Sequence, residues 1–157
     1  MAERVLGKRV SLIGLAGLLA VLSTGCGGDQ TLTKEQYGSK LSAACEDFVA
    51  KEKRIGEPQS FDDLVEKGPR IVAAFDKTIL KQARDLKAPD EIADQAHRMA
   101  QLAQQQHDVL SGLAEAAKAG DFARVTELAS KNNEVNEKAS SVARELGAKA
   151  CAGDRSG

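Results

Sequence analysis

The two histidines are the side chains of this sequence best suited to metal binding. Asp94 lies three residues before His97, a spacing that puts both side chains on one face of a helix. Helical bundles that hold two metal ions take such a carboxylate-x-x-His pair from each of two helices, and the sequence has only one. His107 follows ten residues later, so on one helix the two rings point about 80° apart. We therefore expect surface histidines, with no bound metal or other cofactor.

Gln106 and Asn132 are amides within otherwise apolar helical stripes. They lie 14 residues before and 12 residues after Gly120, where a turn is expected, so neighbouring helices would hold them at similar height. A buried amide pair usually fixes the register of helices. We predict a hydrogen bond between them in the core, with contact to a ligand as the alternative.

No catalytic motif accompanies these residues. The sequence has no G-x-S-x-G, no H-E-x-x-H and no phosphate-binding glycine loop, and no serine stands in a recognisable motif with a histidine. The expectation is a protein that is not an enzyme.

The start of the chain has the three parts of a secretory signal. Three bases come first: Arg4, Lys8 and Arg9. Residues 10–22 are uncharged and mostly aliphatic, and residues 23–25 are small. The apolar run is typical of a cleaved signal and is shorter than the ~20 residues that span a membrane stably. Residues 1–25 are therefore predicted to be a signal peptide that is removed.

The run Leu22-Ser23-Thr24-Gly25-Cys26 resembles the lipobox of bacterial lipoproteins. In that family a diacylglycerol joins the cysteine thiol, the chain is cut before the cysteine, and the new N-terminus is often acylated. The resemblance implies cleavage between Gly25 and Cys26, lipidation of Cys26, and a location on the cell membrane facing outside the cytoplasm. Two or three acyl chains anchor a protein firmly. Ser23 stands where the family usually has leucine, and the alternative is a plain secretory signal.

Cys45 and Cys151 are the two cysteines that remain once Cys26 is lipidated. Outside the cytoplasm an even number of thiols indicates disulfides, and only one pairing exists here. We expect a Cys45–Cys151 bond, with two buried free thiols as the alternative. In the chain-entropy model, closing so long a loop stabilises the fold by roughly 4–5 kcal/mol.

The charge and aromatic content of the exported part limit its partners. Residues 1–25 hold three bases and one acid, so the rest of the chain carries a formal net charge of −3. No basic patch suits nucleic acid. Tryptophan is absent and tyrosine occurs once, so few aromatic faces are present to bind sugars, bases or haem. The expected partners are the membrane, through the lipid, and an unidentified protein.

Start and stop signals divide the exported part into four helices. Thr33 and Gln36 form a capping box for the first, flanked by a hydrophobic staple of Leu32 and Tyr37. The other boundary signals are Gly56 and Pro58 at the end of the first helix, Ser60 at the start of the second, Pro89 at the start of the third, and Gly120 and Asp121 between the third and fourth.

The pair Gly68-Pro69 interrupts the second apolar stripe. Proline removes a backbone donor and clashes with the preceding turn, so we expect a break or kink there. A straight helix over residues 60–86 would leave Cys45 and Cys151 roughly 24 Å apart in height, whereas a break reduces this to about 10 Å. The predicted break and the predicted disulfide therefore support each other.

Apolar residues at alternating steps of three and four predict packed helix seams. One seam begins at Ile92 and ends at Ala117, and the other begins at Val125 and ends at Leu146. We predict an all-α, antiparallel up-down four-helix bundle. Its predicted divisions are a lipidated linker at 26–32, the bundle at 33–152 and a flexible tail at 153–157.

Three short runs add a second resemblance, which spans most of residues 33–152. They are Leu86-Lys-Ala-Pro89, Ala119-Gly120-Asp121 and Ala143-Arg-Glu-Leu146-Gly147 followed by Cys151. These runs resemble small helical lipoproteins of actinobacterial envelopes, and this resemblance implies a fold and a compartment but no activity.

The expected function is a non-enzymatic, membrane-anchored protein with a protein-interaction or structural role in the cell envelope. An apolar stripe left exposed would mark the interaction surface, and Leu102 with Val109 are the best candidates because they lie off the seam of the third helix. The alternative is a carrier of a small ligand or metal, with its pocket under the Gly68-Pro69 break.

Overall fold

The computed structural model describes residues 32–153, and every regular element in that range is helical. The predicted signal peptide and most of the predicted linker lie outside the described residues, as do residues 154–157 of the predicted tail. Within residues 32–153 no helix is both long and apolar enough to cross a membrane.

Helix α1 covers Lys34–Ile55 and begins as the sequence predicts. The Thr33 hydroxyl accepts a hydrogen bond from the backbone N–H of Gln36, and the Gln36 side chain accepts one from the backbone N–H of Thr33. This capping box satisfies two donors that a helix start otherwise leaves free. Gly56 ends the helix with a positive φ of 86°.

The second helical segment consists of three consecutive elements. Helix α2 covers Phe61–Phe75, a π-helical turn covers Asp76–Leu80, and helix α3 covers Lys81–Asp85. The Ser60 hydroxyl caps α2 by accepting from the backbone N–H of Asp63. In the π turn the buried Thr78 hydroxyl donates to the Ala74 carbonyl at 2.7 Å, which satisfies a polar group that would otherwise lie unpaired in the core.

The chain is not broken at Gly68-Pro69, because α2 continues through both residues, and the alternative of a kink there stays a prediction. Pro69 is exposed, and so is Val65, whose carbonyl loses its helical partner to the proline. Water can therefore bind the freed carbonyl, which lowers the cost of a proline inside a helix.

The third and fourth helical segments are the longest. Asp90–Ile92 forms a 3-10 turn after Pro89, helix α4 covers Ala93–Ala119, and helix α5 covers Phe122–Glu145. Gly120 is left-handed at the end of α4, with φ 75°, and the Asp121 side chain caps α5 by accepting from the backbone N–H of Arg124. The two-residue connection brings α4 and α5 into extensive contact.

The core contains the two predicted seams. Most of their members are buried: Ile92, Ala96, Met99, Ala103, Leu113, Ala117, Leu128, Val135, Ala139, Val142 and Leu146. Tyr37 and Leu41 of α1 pack into the same cluster as Met99 and Val142. Phe48 of α1 meets Phe75 of α2 edge to face, with ring centroids 5.5 Å apart. The all-helical class and the helix seams are thus confirmed, while the antiparallel up-down order stays a prediction.

The segment 146–153 follows α5 as a series of turns rather than as more helix. Gly147 takes a positive φ of 72°, which redirects the chain. Ala148 and Leu146 are then completely buried, and Ala152 is nearly so. Segment 146–153 is therefore packed into the core, and it positions Cys151 against α1.

Candidate functional site

The disulfide predicted from the sequence is present in the structure. Cys45 of α1 and Cys151 of segment 146–153 are bonded, with Cα atoms 5.3 Å apart. Cys45 is 5% exposed and Cys151 is partly buried. The turns of segment 146–153 bring the two residues together. The disulfide therefore forms without the break at Gly68-Pro69 that the sequence analysis linked to it.

Close packing of α1 against segment 146–153 accompanies the disulfide. Gly38 faces the backbone at Leu146 and Gly147 so closely that a Cβ atom on it would overlap the Leu146 carbonyl oxygen. One turn later the Ser42 hydroxyl accepts a hydrogen bond from the backbone N–H of Ala150 at 3.3 Å. Gly38, Ser42 and Cys45 lie on one face of α1, and segment 146–153 packs against this face of small residues.

A groove of about 780 Å³ lies next to this contact. Its described walls are one face of α1 and segment 146–150, and its apolar lining consists of Cys45, Val49, Ala50, Leu146 and Ala150. Its charged residues are Lys34, Glu35, Glu46, Lys53 and Lys149. A groove with apolar lining and charges of both signs can accept the apolar part of an amphiphilic molecule or helix.

Glu35 stands at the start of α1, at the groove. Its own backbone N–H and the Thr33 side chain donate hydrogen bonds to the carboxyl group, and these hold the pKa of Glu35 below its ordinary value. The carboxyl group is fully exposed and stays ionised at neutral pH. It therefore contributes a fixed negative charge to the groove.

The residues of the predicted lipidation site lie outside the described residues. Gly25 and Cys26, between which cleavage is expected, precede Leu32, the first described residue. Their predicted roles stay predictions. The described domain begins at the capping box of α1, within a few residues of Cys26 in the sequence.

The hydrogen bond predicted between Gln106 and Asn132 is not formed to the Asn132 oxygen. Asn132 Oδ1 is buried without a hydrogen-bond partner, and both residues are partly rather than fully buried. Sequence spacing gave similar heights on α4 and α5, but a hydrogen bond also requires side chains that point towards each other. The predicted polar core pair is therefore wrong as a bonded pair.

The histidines are held by neighbours on their own helix. His97 Nε2 lies 2.9 Å from the Gln101 amide nitrogen, and His107 Nδ1 lies 3.4 Å from an Asp108 carboxylate oxygen. Over residues 32–153 the structure contains no group of three His, Cys, Asp or Glu side chains that could hold a metal ion. His97 is exposed, as predicted, while His107 is partly buried.

The predicted interaction stripe on α4 is not an exposed surface. Val109 is only 4% exposed and packs with Leu113, Ala116 and Leu128, while Leu102 is partly buried against the Met99 cluster. Near the α4–α5 turn the contact face of α4 includes Val109 beside the seam residue Leu113. The prediction failed because a two-helix contact near a tight turn buries a wider face than a narrow seam.

Sequence reasoning missed the groove and the glycine contact that adjoins it. The available signal was a run of small residues, Gly38, Ser42 and Cys45, at helical spacing. Such a run permits another backbone to approach closely, but it does not say which segment does so.

Comparisons with protein-family models, with curated proteins and with solved structures find no match to this chain.

Proposed function

We propose that this chain is a lipid-anchored protein of the cell envelope that faces outside the cytoplasm and acts by binding a partner protein. Cys26 carries the lipid, and residues after Cys26 link it to the helical domain. No catalytic step is part of the proposal, since the sequence holds no catalytic motif.

The observation that carries this proposal is the Cys45–Cys151 disulfide. Structural disulfides form and persist in oxidising compartments and are rare in the reducing cytoplasm. A domain stabilised by this bond fits a chain whose first 26 residues resemble a lipoprotein export signal. Export and disulfide formation thus support each other from independent parts of the chain.

The position of α1 relative to Cys26 is also consistent with a membrane anchor. Six residues lie between Cys26 and the helix cap Thr33, and a flexible linker of that length spans about 13–15 Å on average. The N-terminal end of α1 would thus lie close to the membrane. Helix α1 has 22 residues and extends about 33 Å, so its other end would lie well away from the bilayer.

Metabolic labelling with an alkyne-bearing fatty acid tests the anchor. In a bacterial host that processes lipoproteins, the wild-type chain is expected to incorporate the label and to fractionate with membranes. Cys26→Ala is expected to lose both properties. The matched control, Cys45→Ala with Cys151→Ala, retains Cys26 and is expected to keep the label. An unlabelled, soluble wild-type protein would contradict the proposal.

The groove favours a second candidate function, a carrier of a small amphiphilic ligand. Its volume of about 780 Å³ falls within the ~300–1,000 Å³ of typical ligand sites. Native mass spectrometry of protein purified from its producing cells would then show an added mass. Ala50→Trp, which fills the groove, should remove the adduct, while Ala129→Trp on the exposed face of α5 should keep it. An adduct that survives Ala50→Trp would exclude the groove as its site.

A further inference from the structure

The exposed large hydrophobic side chains of residues 32–153 belong to one small patch. Phe122 is 64% exposed and Val65 is 38% exposed. Phe61 connects the two. Its ring stacks on Phe122, with ring centroids 4.1 Å apart, and it lies one helical turn before Val65 on α2. We call Phe61, Val65 and Phe122 the aromatic patch.

The core does not account for the aromatic patch. Phe122 is the first residue of α5 and Phe61 is the first of α2, where polar residues serve the helix ends equally well. Leaving a phenylalanine ring mostly in water forgoes roughly 1.5–3 kcal/mol of burial. An exposed Phe122 that stacks on the partly buried Phe61, with Val65 exposed beside it, is more typical of a binding surface than of a solvated helix end.

Acidic residues border every member of the aromatic patch. Asp62 follows Phe61, Glu66 follows Val65, and Asp121 precedes Phe122, and all three acids are exposed. On a helix, the neighbour in sequence lies about 100° around the axis, so the Asp62 and Glu66 carboxylates lie at the rim of the patch. Asp121, whose carboxylate caps α5, lies at the rim as the residue before Phe122.

The nearby bases offset this negative rim only in part. Lys67 is paired with Asp63 at 3.1 Å, and Arg124 is paired with Glu127 at 2.7 Å. The other nearby bases are Lys118 in the last turn of α4 and Arg70, which is exposed on α2 four residues after Glu66, so two bases stand against the three rim acids. The rim therefore has a net negative charge and attracts a positively charged partner.

We propose that the aromatic patch is a docking site for a partner protein segment that presents an aliphatic or aromatic side chain flanked by lysine or arginine. The apolar side chain would cover the Phe61 and Phe122 rings, and its basic neighbours would pair with Asp62, Glu66 and Asp121. Charge complementarity selects this occupant. A second copy would oppose two acidic rims, and an anionic membrane would be repelled by the same rim.

The inference names the partner class for the interaction role proposed above, and it rests on that role. The aromatic patch follows α1 after a five-residue connection, at the end of that helix remote from Cys26. It would thus point away from the anchored end. Peptide binding does not require lipidation, so failure of this inference and failure of the anchor are separate results.

A peptide experiment tests the docking site directly. The probe is a synthetic peptide with Leu-Trp-Leu at its centre and lysines on both sides, and the control peptide has glutamates instead. The chain contains no tryptophan, so peptide fluorescence reports binding without interference. The protein is the oxidised full-length chain carrying Cys26→Ser. We expect the lysine peptide to bind with affinity that falls as salt rises, and the glutamate peptide not to bind.

Variants of the full-length chain locate the binding. Phe122→Ala should weaken binding of the lysine peptide at least roughly tenfold, because truncating an aromatic anchor removes much of the binding energy. Asp62→Asn with Glu66→Gln should weaken it several-fold at low salt and flatten the salt dependence. Glu134→Gln with Glu137→Gln removes two exposed acids from the distant part of α5 and should leave binding unchanged.

Several results would overturn this proposal. They are equal binding of the glutamate peptide, unchanged binding by Phe122→Ala, or no binding of the lysine peptide. A dimer seen by sedimentation that Phe122→Ala dissociates would assign the aromatic patch to a second copy instead. Phe122-dependent binding to anionic phospholipid vesicles would assign it to a membrane. Thermal melts of every variant establish that loss of binding does not reflect unfolding.

Discussion

At the residue scale, Tyr37 combines complete burial with an unpaired polar atom. Its side chain is 0% exposed in the core with Leu41 and Met99, and its hydroxyl has no hydrogen-bond partner in the structure. Burial raises the pKa of Tyr37 above its ordinary value of 10.0, because the phenolate would be poorly solvated there. The ring stabilises the core, whereas the hydroxyl carries a desolvation cost.

Tyr37→Phe is therefore expected to stabilise the protein. Removing an unpaired buried hydroxyl while keeping the ring should raise the free energy of unfolding by about 1–2 kcal/mol. Urea unfolding of the oxidised protein measures the change. Tyr37→Leu, which also removes the ring, should destabilise it and serves as the control. A destabilised Tyr37→Phe protein would show that the hydroxyl has a partner, such as a buried water molecule.

The raised pKa of Tyr37 also predicts a stability loss at high pH. Above pH 10 the unfolded chain ionises this tyrosine while the folded chain keeps it neutral, so the unfolded state is favoured as pH rises. Tyr37 is the only tyrosine and there is no tryptophan, so tyrosinate absorbance reports this one group. We expect ionisation to accompany unfolding. Ionisation at the ordinary pKa in a protein that stays folded would contradict the burial.

Gly38 is required by the approach of segment 146–153 to α1. A methyl group at this position would overlap the Leu146 carbonyl oxygen, which is backbone and cannot rotate away. Gly38→Ala should therefore destabilise the protein by about 1–3 kcal/mol, despite the better helix propensity of alanine.

Gly112→Ala is the matched control for Gly38→Ala in thermal melts. It makes the same change inside α4, where the new Cβ would lie 3.1 Å from a Leu128 methyl group that can shift. We expect Gly112→Ala to lose distinctly less stability than Gly38→Ala, or to gain stability. Equal effects of the two substitutions would mean that segment 146–153 can move away from α1 without cost.

At the element scale, α2 shows that a proline makes a helix locally less stable but does not by itself end the helix. The helix continues through Gly68 and Pro69, and Gly68 is buried against α4, where an added Cβ would lie 3.1 Å from the Ala114 Cβ. Packing of this face on α4 keeps the helix intact. The local penalty of Pro69 is thus offset by tertiary contact.

Pro69→Ala is expected to stabilise α2. Alanine restores a backbone donor for the Val65 carbonyl and removes the ring clash, and proline is about 3 kcal/mol less favourable than alanine within a helix. Since Val65 is exposed and water can bind its carbonyl, the gain should be less than the full penalty, about 1–3 kcal/mol in urea unfolding. Glu66→Ala is the control, because it introduces alanine at another exposed position of α2 and so measures the effect of helix propensity alone. A loss of stability in Pro69→Ala would show that the proline shapes the contact with α4.

At the scale of the whole molecule, the disulfide closes almost the entire domain into one loop. Cys45 and Cys151 are 106 residues apart in sequence. A cross-link over that distance restricts the unfolded chain strongly, by roughly 4–5 kcal/mol in the chain-entropy model. The bond also holds segment 146–153, which completes the core with Leu146, Ala148 and Ala152.

Removal of the disulfide is expected to destabilise the whole domain and to loosen segment 146–153 first. Cys45→Ala with Cys151→Ala should lose roughly 4–5 kcal/mol in urea unfolding. Hydrogen exchange should increase most at the backbone N–H groups of Ala148, which donates to the Ala143 carbonyl of α5, and of Ala152, which donates to the Ala148 carbonyl. Intact mass of the wild-type protein, two hydrogens lighter than the reduced form, checks the bond itself. An unchanged unfolding midpoint would contradict this role.

The sequence by itself determined the helices and the disulfide. Capping boxes, terminal glycines and apolar steps of three and four act within one or two turns, so α1, α4 and α5 begin and end close to the predicted residues. The disulfide could be predicted because only two cysteines remained for an oxidising compartment. The signal peptide, the lipid on Cys26 and the up-down order stay predictions of the same sequence.

The tertiary structure alone decided which faces meet and which remain exposed. It carried α2 through Gly68-Pro69, left Asn132 without its predicted bond, buried Val109, and placed segment 146–153 along α1. It also joined Phe61 and Phe122, which are 61 residues apart, into the aromatic patch. These features depend on contacts between segments that are remote in sequence. The energies of such contacts cannot be read from the local preferences of each segment for helix, turn or cap.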